Sequence, residues 1–491
     1  MSTASQNQSQ TESLLEGGSL LDELLSSTPL AADADSLSLA KQGVGAFIAE
    51  LLKSPDAKVD KAAVDAMIAE LDSRLSGQVN QILHAPPVQK LESAWRGLKF
   101  VVDSVDFRQN VRVNLLNVSK EDLLADFEDS PEIVKSGLYR TVYSAEYGTF
   151  GGQPYGVICS TYEFNSGPQD VALLKNCAAV AAMSHAPFLG NAAPEMFGVK
   201  TYEELTRLKD LESLFEGPQY ARWNGFRDSE DARYVGVCAP RFMLRVPYGA
   251  DTVPSKSFGF EEDVVDQHQN YLWGHSSLAL ATRVADSFAK YRWAPNIVGP
   301  QAGGAVEGLP LHNYKAMGEI QTKLPVEIQL TERREFELAE AGFIGLTMRK
   351  GSDNAAFFSA NSAQRPKVFP NTPEGKADEA NFRLGTQLPY MFVITRLSHY
   401  LKVMQREQIG TFKSRVDLET ELNRWISQYV ADMEAPSPGV RASRPLRQAK
   451  ITVEDVDGQP GWYRCNLQVR PHFKYMGAYF TLSLVGKLDK Q

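Results

Sequence analysis

Apolar positions recur at helical spacing over the first hundred residues and then give way to short apolar runs alternating with amphipathic stretches. Val44, Phe47, Ile48, Leu51 and Leu52 form one helical stripe ahead of Pro55. A second helix starts from a cap at Asp60, carries Val64, Met67, Ile68, Leu71, Leu75, Val79 and Ile82, and stops at Pro86-Pro87. Both stripes need a partner surface. Leu91 to Val102 predicts a further helix. From Val111 the pattern changes: VRVNLLNV predicts a strand, two acidic helices run to Ser144, YGVICSTYEF predicts a strand and VALLKNCAAVAAMSHA a helix. YVGVCAP, FMLRVP, VEIQL and GFIGLTMR predict strands among helices at 201–215, 262–290 and 331–340. Such alternation predicts an α/β layer architecture.

The last part reads differently. Helices are predicted from about Asn381 to Met404 and from Phe412 to Met433, followed by the loop APSPGVRASRPLR and three strands. In WYRCNLQVR, Tyr463, Cys465, Leu467 and Val469 share one face and Arg464, Asn466, Gln468 and Arg470 the other, as in a strand buried on one side. DGQPG is the turn that joins it to AKITVEDV, in which Ile451 and Val453 face one side and Thr452 and Glu454 the other. A three-stranded sheet has open edges, and an open edge is a template for another chain; Ile451 and Val453 are therefore the candidate inter-subunit strand.

At the other end, residues 1–13 are polar and lack aromatics, so they cannot bury enough surface to offset the entropy of ordering. The segment SLLDELLSSTP follows, with Ser19 as cap and Leu20, Leu21, Leu24 and Leu25 on one face. A helix of about two turns is unstable alone in water, so it lies either in a partner's groove or on its own core. The resulting division is a partly disordered helical N-terminal arm (1–60), an α/β middle domain (61–380) and an α+β C-terminal domain (381–491). Length agrees, since 491 residues at roughly 150 per domain make about three.

Charge sharpens this division. The arm holds nine acidic and three basic side chains, whereas residues 381–491 hold 10 acidic and 16 basic ones, within a chain of net charge −9. A generally polyanion-binding surface is disfavoured, so no nucleic-acid partner is expected. The basic residues Arg441, Arg444, Arg447 and Lys450 lack the interleaved aromatics of single-strand binders and are expected to meet a protein. The longest apolar run, Cys177 to Met183, is far shorter than the roughly 20 residues of a bilayer helix, and residues 1–40 offer no positive n-region with an apolar core. The expected location is the cytoplasm, without membrane insertion, and the dispersed Cys159, Cys177, Cys238 and Cys465 are expected as buried thiols.

Candidate chemistry dissolves on inspection. GPQAGGAVEG at 299–308 lacks the Lys-Ser/Thr that a phosphate loop needs after its last glycine. Ser352-Asp353-Asn354, with Ser38 to Lys41 and Lys135-Ser136-Gly137, resembles the parts of a serine acylase in the wrong order. His268 and His275 stand seven apart, too far for one ion on a helix, and are expected to pack or cap. Glu261, Glu262 and Asp263 are expected to charge a helix start. No catalytic residue, cofactor or metal site is predicted.

LESAWRGLKFVVD (91–103), NAAPEMFG (191–198), RREFELAEAGFIGLTMRKGSDNAAFFSANS (333–362) and NFRLGTQLPYMFVITRLSHYL (381–401) resemble the large subunit of the contractile sheath of bacterial type VI secretion systems. The resemblance runs from about residue 60 to the C-terminus. It implies a mechanical protein that pairs with a small sheath subunit and stacks with copies of itself as helical hexameric rings around an inner tube on a baseplate. The sheath contracts once to drive tube and effectors outward, and an AAA+ ATPase then dismantles it. The resemblance implies a C-terminal domain like that of phage tail sheaths. It also makes Met67, Leu71 and Leu75 the expected small-subunit interface and Leu20, Leu21, Leu24 and Leu25 an expected ATPase-recognition hook. The alternatives are a phage or phage-like tail sheath of one polypeptide and, from another class, an α/β hydrolase-like enzyme.

Overall fold

The computed structural model describes residues 61–484 apart from 265–266, 317, 349–350, 412, 434–435, 457, 459–460 and 473–479. The arm, and with it Leu20, Leu21, Leu24 and Leu25, lies outside the described residues. The chain divides into two units, Met1–Leu75 and Ser76–Gln491. The described part of the first belongs to helix α1 (Lys61–Leu83), whose own turns carry an Arg74–Glu70 ion pair.

In the second unit, α2 (Pro86–Ser104) begins on the Pro86-Pro87 pair, which is tolerated in a first turn where N–H groups have no intrahelical partner. Helix α3 (Lys120–Asp129) is capped by Ser119, whose side chain accepts from the Asp122 amide. A π-helical stretch, Arg140–Tyr147, leads to strand β1 (Ile158–Phe164). Then follow α4 (Pro168–Ser184), β2 (Phe188–Ala192), α5 (Ala221–Arg227), β3 (Val235–Ala239), and the short β4 (Phe242–Met243) and β5 (Trp273–Gly274), which pair with each other. Helix α6 (Ser276–Tyr291), β6 (Ala305–Val306), the hairpin β7 (His312–Ala316) and β8 (Glu319–Lys323), α7 (Glu332–Glu340), β9 (Phe343–Met348) and β10 (Ala355–Phe357) complete this part.

The sheet has the order β1-β2-β3-β9-β10-β6, parallel from β1 to β9 and antiparallel beyond. Strands β2, β3 and β9 are buried at every position, as central parallel strands covered on both faces must be. One face sends Phe188, Val235, Val237 and Phe343 against α4 and α5, and Phe343 stacks on Trp223 of α5 at 5.4 Å between centroids. The other sends Leu189, Cys238, Ile344 and Leu346 against Ala279, Leu280 and Val284 of α6. Helix α2 lies on α6: a Cβ built at Gly97 would stand 2.5 Å from Leu278 Cδ1, so a larger residue there would require the Leu278 side chain to move.

The C-terminal part builds its own core. Helices α8 (Pro373–Gly385), α9 (Leu388–Glu407), α10 (Arg415–Ser427) and α11 (Pro438–Ser443) precede the antiparallel sheet of β11 (Leu446–Asp455), β12 (Tyr463–Pro471) and β13 (Phe480–Leu484). Ile451, Val453, Cys465, Leu467 and Val469 pack on Tyr390, Val393, Ile394 and Leu397 of α9 and on Leu422 and Ile426 of α10.

Several sequence expectations change. Residues 111–118 form no strand and join no sheet among the described residues. No helix runs from 262 to 275, since the Glu262 carboxylate turns inward to Arg245 and to the Tyr248 amide, leaving Glu261 and Asp263 without a helix start to charge. Consequently His268 and His275 do not share a helix face. VEIQL contributes only a bridge from Val326 to Phe242, because Glu327 is drawn to Arg241. The long helix expected from Asn381 breaks at 386–387 ahead of Pro389, and 201–215 splits where Asp210 caps a new turn. All four cysteines are free, three buried and Cys159 half-buried. Among the described residues no helix is long and apolar enough to cross a membrane.

Candidate assembly surfaces

Helix α1 keeps its apolar row in solvent, with Met67, Ile68, Leu71, Leu75 and Ile82 between 45% and 61% exposed. On α2 the buried face is Ser93, Gly97 and Val101, while Leu91, Trp95 and Val102 follow one another at spacings of four and seven on the solvent side. Phe107, Val113, Leu115 and Leu116 extend the set, so 12 of the 23 exposed large apolar side chains among the described residues fall within residues 67–116. Burying such a side chain from full exposure gains about 1.5–3 kcal/mol, and these, already about half covered, stand to gain roughly half of that. Exposed apolar rows of this kind mark interaction surfaces, on α1 and on α2 each by itself. Met67, Leu71 and Leu75 are exposed, and so are Leu91, Trp95 and Val102 of α2, a row whose spacing the sequence also displays.

The terminal sheet presents a different device. Ile451 and Val453 point their side chains into the core and their backbone groups away from β12, toward what would be the open edge of the sheet. Helix α10 occupies that edge. Asn423 Nδ2 donates to the Ile451 carbonyl at 2.7 Å while its Oδ1 accepts from the Ile451 amide at 2.9 Å. The Val453 amide donates to Glu419 Oε2 at 3.2 Å, and Arg415 Nη1 donates to the Val453 carbonyl at 3.3 Å. The edge at these two residues is therefore satisfied within the chain rather than open. Arg415, Glu419 and Asn423 recur at intervals of four, a row the sequence displays but that periodicity of apolar residues overlooks.

The four basic residues separate into three settings. Arg441 and Arg447 stand beside His472, which burial and these two charges hold below its ordinary pKa. Arg444 lines an open cavity of about 580 Å³ with Asp432 and Met433, and Lys450 is exposed on β11 next to the buried Ile451.

Two charged hubs fasten the middle part. Arg245 donates to Glu92 of α2 at 2.7 Å and to Glu262 at 2.5 Å, and Glu262 also meets His84 at 3.3 Å. At the carboxyl ends of β1 and β3, Arg241 holds Glu327 in a two-pronged pair at 2.8 and 3.0 Å and approaches Glu163 at 3.6 Å, with His275 3.7 Å and His268 3.5 Å from these carboxylates. Burial works to raise the Glu327 pKa, but the Arg241 charge outweighs it and holds the carboxyl low. Arg241 and Glu327 satisfy each other and tie two loops together, whereas Glu163 Oε1, His268 Nε2 and His275 Nδ1 are buried without a hydrogen-bond partner among the described residues.

A third junction joins α9 to the end of α4. His399 Nε2 donates to the Ser184 carbonyl at 3.0 Å, its ring meets Tyr147 edge-on at 5.4 Å and His185 at 6.5 Å, and Arg406 donates to the carbonyls of Tyr147 and Thr149. Burial pushes His185 down to about 4 and His399 down to about 3, so both rings are neutral at pH 7.

Uncovered apolar rows, a guarded sheet edge and inward-spent charges are the features of a building block. Residues 65–364 match the EvpB/VC_A0108 tail sheath N-terminal domain, and residues 377–488 match the EvpB/VC_A0108 tail sheath gpW/gp25-like domain. The chain belongs to the EvpB tail sheath family. It is 38% identical to the type VI secretion system sheath protein TssC1 of Pseudomonas aeruginosa, over 490 residues that cover 98% of this chain and 97% of the relative. Family membership makes it a contractile tail sheath subunit of the type VI secretion kind, and the family is one of structural proteins. The hydrolase-like alternative has no support in these matches.

Proposed function

We propose that the chain is the large half of a sheath heterodimer. It works in the cytoplasm without catalysis, the small subunit covering the rows on α1 and α2, including Met67, Leu71 and Leu75. The concentration of exposed apolar side chains within residues 67–116 of a sheath-family chain carries this proposal. Heterodimers stack as helical hexameric rings around an inner tube on a baseplate, and contraction drives tube and effectors outward. Small free-energy gains per subunit sum along the polymer, so firing needs no nucleotide site in this chain. Residues 1–60 serve as the arm, 61–380 as the middle domain and 381–491 as the C-terminal domain.

Copies link through the strand of Ile451 and Val453 by exchange, an incoming strand replacing Asn423, Glu419 and Arg415 on the same backbone groups. Arg441, Arg444, Arg447 and Lys450 meet acidic surfaces of neighbouring subunits. Leu20, Leu21, Leu24 and Leu25 present the recycling hook to an AAA+ ATPase, many weak arms acting together. Co-expression with the small subunit tests the pairing: joint purification is expected, and a monodisperse large subunit that ignores the small one overturns it. Leu21→Asp with Leu25→Asp should leave tubules intact but resistant to ATPase-driven disassembly; disassembly at the parental rate would remove the hook.

A further inference from the structure

The apolar row that opens α1 is written twice in this chain. KQGVGAFIAEL (41–51) and KAAVDAMIAEL (61–71) stand twenty residues apart and are identical at seven of eleven positions. Val44, Phe47, Ile48 and Leu51 of the first correspond to Val64, Met67, Ile68 and Leu71 of the second, each set on one helical face. The second stretch is the start of α1, where Met67, Ile68 and Leu71 are each more than half exposed. The first lies outside the described residues, and both fall within the unit Met1–Leu75.

The spacing of these apolar positions, three, one and three, reads the same in both directions. Two such helices laid antiparallel therefore set every apolar residue opposite another: Val44 with Leu71, Phe47 with Ile68, Ile48 with Met67 and Leu51 with Val64. In that register Ser54 comes level with Lys61, the first residue of α1, and residues 55–60 are left as the connection. The connection opens on Pro55, which bars the first helix from continuing. Its six residues fall in the range of about 2–8 that joins neighbouring helices. So short a tether keeps the two stretches at high effective concentration, which makes the chain's own segment the occupant ahead of a second copy. A helix of this length is marginal alone in water, so the first stretch needs a partner surface as much as the row on α1 needs a cover.

We propose that residues 41–54 are a helical strap that folds back on α1 and covers Val64, Met67, Ile68 and Leu71 until the small subunit displaces it. The displacement rests on the pairing proposed above; the strap does not. In the unpaired subunit the strap withdraws an apolar row that would otherwise invite aggregation.

The test uses the full chain with Val44→Cys and Leu71→Cys, the antiparallel pair, and separately with Val44→Cys and Val64→Cys, the mismatched pair. Each is oxidised in fresh lysate, with the parental chain as blank, and read on non-reducing gels and by mass spectrometry. A disulfide at monomer mass is expected, forming roughly tenfold faster in the antiparallel pair, because only there do the two Cβ atoms come within bonding reach. The co-expressed small subunit should slow it. Disulfide-linked dimers in place of monomers overturn the own-chain strap in favour of a second copy. Equal rates in the two pairs overturn the antiparallel register, and no disulfide in either overturns the strap. An unchanged rate with the small subunit bound overturns the displacement alone; an unchanged rate with the small subunit unbound overturns the pairing and leaves the strap standing.

Discussion

Asn423 treats Ile451 as one strand treats its neighbour: the side-chain amide donates to the carbonyl at 2.7 Å and accepts from the N–H at 2.9 Å. The group on α10 is an amide like the peptide it replaces, so the edge of β11 is satisfied without a fourth strand. A helix that imitates a strand protects this edge within the subunit.

Asn423→Ala removes both bonds and uncovers two main-chain groups. The expected cost is about 1–3 kcal/mol, with the Ile451 amide exchanging faster and the isolated subunit aggregating through the freed edge. Denaturant melts and hydrogen exchange read both effects; an unchanged Ile451 amide would show that the seal is nominal.

The row on α1 predicts a change in binding without a change in fold. Met67→Asp with Leu71→Asp and Leu75→Asp places charges where the chain's own core has no stake, since all three are at least 45% exposed. Co-purification with the small subunit should be lost, while Gln81→Asp, exposed on the same helix, should preserve it. Equal recovery of the two variants contradicts the interface.

Arg245 supports a stability prediction. Glu262 has a side chain only 1% exposed and Glu92 one 17% exposed, and both turn to this guanidinium. Arg245→Ala leaves them without their shared partner and should cost about 3–5 kcal/mol in denaturant unfolding. Adding Glu92→Gln should recover part of that loss.

His185 and His399 set a pH dependence. Their folded pKa values, about 4 and about 3, lie below the unfolded value of about 6.5. The unfolded chain therefore binds more protons, and the stabilisation is full above about pH 6.5 and is lost as pH falls toward the folded values. Near pH 5 the pair takes up about two protons on unfolding. His399→Gln, which keeps a donor for the Ser184 carbonyl, should remove about one of them and flatten the fall in stability between pH 6.5 and 5. An unchanged slope would place the titration elsewhere.

The α/β architecture was legible because GFIGLTMR and YVGVCAP are continuous apolar runs and the terminal strand alternates from Tyr463 to Arg470. Strand β2 escaped notice because FLGNA, buried on both faces, has no alternation and holds only five residues. The hairpin β7–β8 escaped because its strands are polar. Where periodicity misled, a charge was responsible: Glu262 and Glu327 pair with arginines distant in sequence and pull their segments out of regular structure. Residues 111–118 carry a strand's pattern but pair with no strand among the described residues. The seal on β11 was present as Arg415, Glu419 and Asn423 but needed the sheet beside it to acquire meaning.

Electron microscopy of this chain co-expressed with the small subunit tests the central claim most directly. Hollow helical tubules containing both polypeptides are the predicted result. Discrete, soluble particles of the large chain alone would contradict the sheath function, and tubules built from it without the second polypeptide would contradict the heterodimer.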